Sequence, residues 1–61
     1  MTQPNPGYRN RILIMRTKEG WYPIEASGTK QLKDEAPDHA ELNSHILCIE
    51  DIEGNVLWRR Q

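Results

Sequence analysis

Apolar residues along this chain are concentrated in two runs that belong to a repeated pattern. Residues 11–20 align with residues 45–54, and both segments carry an Ile-Leu pair near the start and a Glu-Gly pair at the end. In each segment an apolar run precedes a polar break that contains glycine, and a second apolar run follows. This order is typical of a β-hairpin. The pattern therefore predicts two hairpins of similar shape, joined by a polar middle.

The first hairpin is predicted to consist of strands over residues 9–18 and 21–26. Gly20 is expected to adopt the positive φ that closes a three-residue loop. Pro23 cannot donate a backbone hydrogen bond, which favours an edge position for the second strand. The resulting register pairs Arg16 with Tyr22, Ile14 with Ile24 and Ile12 with Ala26.

The second hairpin is predicted to have strands over residues 45–51 and 56–60. Gly54 is the expected left-handed residue of its loop, and Asn55 also tolerates positive φ, which leaves a shift by one residue open. With Gly54 in that role, the register pairs Glu50 with Val56, Cys48 with Trp58 and Ile46 with Arg60.

Charges at equivalent positions of the two hairpins are of opposite sign. Arg16 corresponds to Glu50, and Glu25 corresponds to Arg59. This pattern suits hairpins that lie side by side or that pair between two chains. Exposed ion pairs are worth only about 0.2–1 kcal/mol each, so they would select register and partner rather than hold the fold together.

The polar middle contains helix-forming residues that are interrupted by Pro37. Proline within a helix removes one backbone hydrogen bond and crowds the preceding turn, so a helix through residues 30–43 would be kinked or broken there. We expect a short, imperfect helix or two turns, held to the sheet by Leu32, Ala36 and Leu42. A solvated connector is the alternative interpretation.

The predicted fold is α+β and mostly β. A flexible N-terminal tail over residues 1–8, rich in Pro, Asn and Gln, precedes a single small domain over residues 9–61. In that domain two antiparallel β-hairpins flank the short, Pro-interrupted helical connector, in the order ββαββ, and form an antiparallel sheet. The sequence leaves open whether the hairpins join in one sheet or fold over each other as a small sandwich or half-open barrel.

Both faces of the predicted sheet are apolar. Since side chains alternate across a strand, the registers above sort them into two groups. The first group contains Ile12, Ile14, Tyr22, Ile24, Ala26, Ile46, Cys48, Val56 and Trp58. The second group contains Leu13, Met15, Trp21, Pro23, Leu47, Ile49 and Leu57. The weak helix covers only part of one face, and an uncovered apolar area on a small protein normally marks an interaction surface.

Composition narrows the classes of function. A chain of 61 residues with 36% hydrophobic residues is expected to fold, although chains this short bury only about 60% of their unfolded surface. Cys48 is the only cysteine, so no internal disulfide forms and a reducing, cytoplasmic compartment is expected. We find no apolar run long enough to cross a membrane and no signal-peptide pattern. A net charge of −1 argues against a general polyanion binder.

No pattern of catalytic or metal-binding residues emerges. His39, His45 and Cys48 are suitable metal ligands, but His45 and Cys48 are three residues apart in an expected strand and point to opposite faces. The same separation removes the histidine that would activate Cys48 as a nucleophile. The carboxylates of Asp34, Glu35, Asp38 and Glu41 are expected to form a solvated acidic patch. We therefore predict no enzyme activity, no metal and no cofactor.

Two functions remain for a protein of this kind. The first is a small accessory or regulatory protein that contacts a second copy of itself or a larger protein, with Met15, Trp21 and Leu57 as the candidate contact patch. The second is single-stranded nucleic-acid binding, in which bases stack on aromatic residues of the sheet. The basic residues available for that role are Arg9, Arg11, Arg16, Lys18, Arg59 and Arg60.

Overall fold

A computed structural model describes residues 11–26 and 30–61 of the chain. Their elements are β1 (Ile12–Thr17), β2 (Gly20–Glu25), α1 (Leu32–Leu42), β3 (Ile46–Glu50) and β4 (Val56–Arg59). This order confirms the predicted ββαββ arrangement. The predicted tail over residues 1–8 lies outside the described residues.

The four strands form one antiparallel sheet in the order β2-β1-β3-β4. The two hairpins lie side by side, because their first strands, β1 and β3, pair with each other. The alternative of two hairpins folded over each other is therefore wrong. The strand that contains Pro23, β2, is at an edge of the sheet, as its lack of a backbone donor predicts.

The register of the first hairpin differs from the prediction by one residue. Thr17 pairs with Gly20 and Arg16 pairs with Trp21, so the loop has two residues instead of three. Gly20 has the expected positive φ, at 146°, but lies within β2. The Thr17 hydroxyl accepts a hydrogen bond from the Glu19 N–H (3.2 Å) and donates one to the Gly20 carbonyl (3.2 Å). A shift of one residue moves every β2 side chain to the other face relative to β1.

The second hairpin begins in the predicted register and then departs from it. Glu50 pairs with Val56, as predicted, but Ile49 pairs with Trp58, so Leu57 is an extra residue in a β-bulge. From there on, the predicted pairs are wrong by one residue. The alternation of apolar and polar residues along a strand does not reveal where a bulge inserts an extra residue.

The loop of the second hairpin is organised by Asp51. Its Oδ1 accepts hydrogen bonds from the backbone N–H groups of Glu53 and Asn55, and its Oδ2 accepts one from the Asn55 side chain, all at 2.9 Å. The hydrogen bond from the Asn55 side chain is the main cause that holds the pKa of Asp51 below its ordinary value, and the backbone N–H groups add to it. Gly54 has a φ of 90°, as predicted for the left-handed residue. The Asp side chain thus fixes the turn in the manner of an Asx-turn.

Helix α1 packs on one face of the sheet, over β4, β3 and β1. The core between them has few large side chains, supplemented by alanines that let the helix approach closely. Its buried hydrophobic residues are Leu13, Met15, Ala26, Ala36, Ala40, Ile46 and Ile49. Ile24, Leu32, Leu57 and Trp58 are partly buried against this core.

Of the two expected outcomes, the short helix forms and the two separate turns do not, because α1 continues through Pro37. Pro37 is exposed, while Ala36 and Ala40 on either side of it are fully buried against the sheet. Packing at these two contacts offsets the missing backbone hydrogen bond, since tertiary burial supplies most of the stability of a short helix. Leu42 is 82% exposed and is not an anchor, whereas Ala40 takes that place. In the described part of the chain no helix has the length and apolar character to span a membrane.

Candidate protein-binding surface

The face of the sheet opposite α1, here called the outer face, has no described element packed on it. Leu13 and Met15 are buried on the helix side of β1, so alternation places Ile12, Ile14 and Arg16 on the outer face. Strand pairing extends this face into two rows across all four strands. The Trp21 row contains Trp21, Arg16, Cys48 and Arg59. The Pro23 row contains Pro23, Ile14, Glu50 and Val56.

The outer face combines apolar and charged side chains and is partly open to solvent. Trp21 is 60% exposed and Val56 is 48% exposed, while Ile12, Ile14 and Cys48 are half-buried. A shallow depression of about 190 Å³ lies beside the Trp21 ring and is also lined by Ile14, Arg16, Glu50 and Ile52. Such a depression next to an exposed aromatic ring can receive a side chain from another molecule.

Charges on the outer face are balanced. Arg16 Nε lies 3.0 Å from Glu50 Oε1, which joins the two central strands across the middle of the face. This is the pair of opposite charges at equivalent positions of the two hairpins. Arg59 lies on edge strand β4 and Glu25 on edge strand β2, so the face carries charges of both signs near its edges.

The predicted contact residues do not form one patch. Trp21 is on the outer face, but Met15 is 1% exposed beneath the helix and Leu57 is half-buried against the core. Met15 cannot touch a partner without opening the core. The cause is the register of the two hairpins, because each shift by one residue exchanges the two faces of a strand. The residues that accompany Trp21 are Ile14, Pro23 and Val56.

Arg60 is occupied within the fold. Its Nε donates a hydrogen bond to the Ile46 carbonyl at 2.8 Å, and its Nη2 reaches the carbonyls of Ala40 (3.3 Å) and Asn43 (3.4 Å). Its guanidinium also lies 4.8 Å from the centre of the Trp58 ring. The side chain therefore ties the end of α1 to β3 and satisfies carbonyls at the helix C-terminus.

The other basic residues considered for nucleic-acid binding are dispersed. Arg11 lies beside α1, where its Nη1 donates to the Lys30 carbonyl at 3.2 Å. Lys18 is at the exposed loop of the first hairpin, Arg16 is paired with Glu50, and Arg59 is on the outer face. Arg9 lies outside the described residues. The structure brings only Arg16 and Arg59 of this group together with Trp21 in one row.

One member of the predicted acidic patch is buried. Glu35 is 5% exposed, and its Oε2 lies 2.8 Å from His39 Nε2 while its Oε1 lies 3.8 Å from Arg11 Nη2. The expectation of a solvated Glu35 is therefore wrong, whereas Asp34, Asp38 and Glu41 are exposed. The contact between Glu35 and His39 is predictable from the sequence, because residues four apart on a helix are neighbours. The approach of Arg11 is not predictable in this way, because it depends on tertiary packing.

The candidate nucleophile and the two histidines are separated in space. Cys48 is on the outer face, while the His45 ring forms a 2.9 Å hydrogen bond with the Tyr22 hydroxyl, and His39 is held by Glu35 on the helix. Among residues 11–26 and 30–61 no group of three or more His, Cys, Asp or Glu side chains is placed to hold a metal ion.

No protein-family model matches the chain, and no curated protein or solved structure is significantly similar to it.

Proposed function

We propose that this chain is a small, non-enzymatic accessory protein that acts by binding a protein through its outer face, either a second copy of itself or a larger partner. One observation carries the proposal: the helix covers one face of the sheet, and the opposite face presents Trp21 at 60% exposure and Val56 at 48%. Exposed aromatic and aliphatic side chains on an uncovered sheet face of a small protein are typical of an interaction site.

The make-up of the outer face supports protein contact. Tryptophan and arginine are the residues most often found at the energetic centres of protein interfaces, and Trp21 lies in one row with Arg16 and Arg59. Trp21 is also next to a depression into which a partner side chain would fit. The ion pair between Arg16 and Glu50 adds charges that select among partners without dominating the affinity.

Nucleic-acid binding is less well supported. A strand of nucleic acid needs a continuous basic path for its phosphates. Here Arg60 is engaged with backbone carbonyls, Arg11 lies beside the helix, and the carboxylate of Glu50 stands in the centre of the outer face. Binding of an oligonucleotide is therefore an outcome that would contradict the proposal.

The test is capture of proteins from a nuclease-treated lysate of the native host cell by the immobilised chain. We expect a retained protein, either the chain itself or another, that is lost with Trp21→Ala and kept with Leu42→Ala. Leu42 is an exposed apolar residue on the helix and is the matched control. In parallel, salt-sensitive binding of a single-stranded oligonucleotide that is weakened by Arg59→Ala, without any Trp21-dependent protein capture, would overturn the proposal in favour of nucleic-acid binding.

A further inference from the structure

We propose that the outer face binds a second copy of this chain, face to face, about a two-fold axis that runs parallel to the strands between β1 and β3. This inference rests on the proposed function and names its partner. A two-fold interface requires a surface that is complementary to itself, so that a residue meets its counterpart in both directions. The two rows of the outer face meet this requirement.

The two-fold axis sets each row against itself in reverse order, because it exchanges β2 with β4 and β1 with β3. In the Trp21 row, the ring on edge strand β2 then meets the guanidinium of Arg59 on edge strand β4 of the second copy. Arginine over a tryptophan face is a favourable cation–π contact. The remaining opposed pairs are Arg16 with Cys48, Pro23 with Val56 and Ile14 with Glu50.

Charge complementarity supports this arrangement. No two side chains of the same sign are directly opposed, because Arg16 faces Cys48 and Glu50 faces Ile14 across the axis. Each Arg16, already 3.0 Å from Glu50 of its own chain, is also one row away from Glu50 of the second copy. Two arginines and two glutamates thus alternate around the axis. A neutral, self-complementary cluster of this kind favours a copy of the same chain over a uniformly charged partner.

The choice of axis follows from the edge residues. Rotation about an axis across the strands, between the two rows, would set the Arg59 guanidinium on the Val56 side chain and leave Trp21 against Pro23. That packing loses the contact between the Arg59 guanidinium and an aromatic face. The axis parallel to the strands gives the same charge an aromatic face.

The size of the face indicates a weak dimer. Four strands spaced by about 4.8 Å, with about five residues each at 3.3 Å, cover roughly 300 Å² in projection. Two such faces bury far less than the roughly 1,200–2,000 Å² of a stable interface, and contacts this small are weak and transient. Dissociation is therefore expected in the micromolar to millimolar range of protein concentration, and sedimentation velocity over about 1 μM to 1 mM is the appropriate measurement.

The decisive experiment exchanges the charge across the interface. Trp21→Lys would place a lysine against Arg59 of the second copy and is expected to raise the dimer dissociation constant at least tenfold. Adding Arg59→Glu in the same chain would restore a pair of opposite charges and is expected to recover at least about threefold. Within one chain these residues are three strand spacings apart, roughly 14 Å, so the recovery cannot arise from a contact inside the chain. Leu42→Lys, with the same change of charge on the helix, is the control and should shift the constant less than twofold.

Cys48 supplies a second readout. It is the only cysteine of the chain, so a bifunctional thiol reagent can join two copies only through this residue. About the proposed axis the two Cys48 residues lie on adjacent strands of facing sheets, with Cα atoms roughly 11 Å apart. A bismaleimide with a two-carbon spacer should therefore give a covalent dimer, and Trp21→Lys should slow its formation at the same protein concentration.

The results separate this inference from the proposed function. A chain that remains monomeric up to 1 mM, or a double variant no better than Trp21→Lys alone, overturns the two-fold dimer. If the monomeric chain still captures another protein in a Trp21-dependent manner, the dimer is refuted and the protein-binding function stands. If it captures none, both are refuted.

Discussion

The contacts of Arg60 lead to a sharp prediction about stability. Replacing Arg60 with alanine removes the side chain that joins the end of α1 to β3 and β4. The change leaves the Ile46 carbonyl without its 2.8 Å donor and removes the longer hydrogen bonds to Ala40 and Asn43. It also removes the cation that lies over the Trp58 ring.

The expected loss follows from these contacts. A hydrogen bond from a charged donor contributes about 1.5–3 kcal/mol, and the lower value applies here because the Arg60 side chain is partly solvated. The two long bonds add a few tenths of a kcal/mol, and a solvent-exposed cation–π contact adds about 0.5 kcal/mol. We expect Arg60→Ala to lower the free energy of unfolding by about 2 kcal/mol. A domain of this size has roughly 3–9 kcal/mol in total, so the loss is large.

Arg59→Ala is the matched control for this measurement. Arg59 is the preceding residue, has the same charge and is exposed on the outer face, so its replacement should change the free energy of unfolding by less than about 0.5 kcal/mol. Urea unfolding followed by tryptophan fluorescence and far-UV circular dichroism gives both values. The loss of about 2 kcal/mol for Arg60→Ala corresponds to a fall in Tm of roughly 8–16 °C. Equal stabilities of the two variants would show that Arg60 does not hold the helix to the sheet.

Three further predictions address the loop, the helix and the core. Asp51→Ala should lower the free energy of unfolding by about 1 kcal/mol at pH 7. Because the folded state lowers the pKa of Asp51, this contribution is present above the ordinary Asp pKa, and the difference from wild type in urea titrations should narrow from pH 7 to pH 3, as the pH falls toward and through the pKa of Asp51 in the folded state. Pro37→Ala should raise stability by about 1–2 kcal/mol, because it restores a hydrogen bond inside α1, and an unchanged or lower midpoint in urea would refute this. Met15→Ala should lower the free energy of unfolding by about 2–5 kcal/mol, whereas Trp21→Ala should lower it by less than about 1 kcal/mol in the monomer. Similar decreases for the two variants would contradict the assignment of these residues to opposite faces.

The fold class and the sites of chain reversal are predictable from the sequence because they depend on local patterns. Apolar runs followed by Gly20 and Gly54 mark the two hairpins, and both glycines have positive φ. Pro23 marks an edge strand for the same local reason, the absence of a backbone donor. The opposite charges of Arg16 and Glu50 suit hairpins that lie side by side or that pair between two chains, and in the structure the two side chains form an ion pair within the chain.

The composition of the candidate site is less predictable. The sequence places Trp21 in a contact patch with Met15 and Leu57, but the three residues are distributed between the outer face and the core. The two-residue loop of the first hairpin and the bulge at Leu57 each change the register by one position. Neither can be recognised from the alternation of apolar residues along the strands. Since both faces of these strands are apolar, hydrophobicity does not distinguish one register from the other.

The sequence by itself determined the order of the strands and helix along the chain and where the chain reverses, since these follow from local backbone preferences and from runs of apolar residues. Only the tertiary structure decided which side of the sheet the helix covers, that α1 passes through Pro37, and that Arg60 and Glu35 serve the fold. These outcomes depend on packing between residues far apart in the chain. Ala36 and Ala40 fit against the sheet well enough to offset the proline, and that balance exists only once the elements have come together.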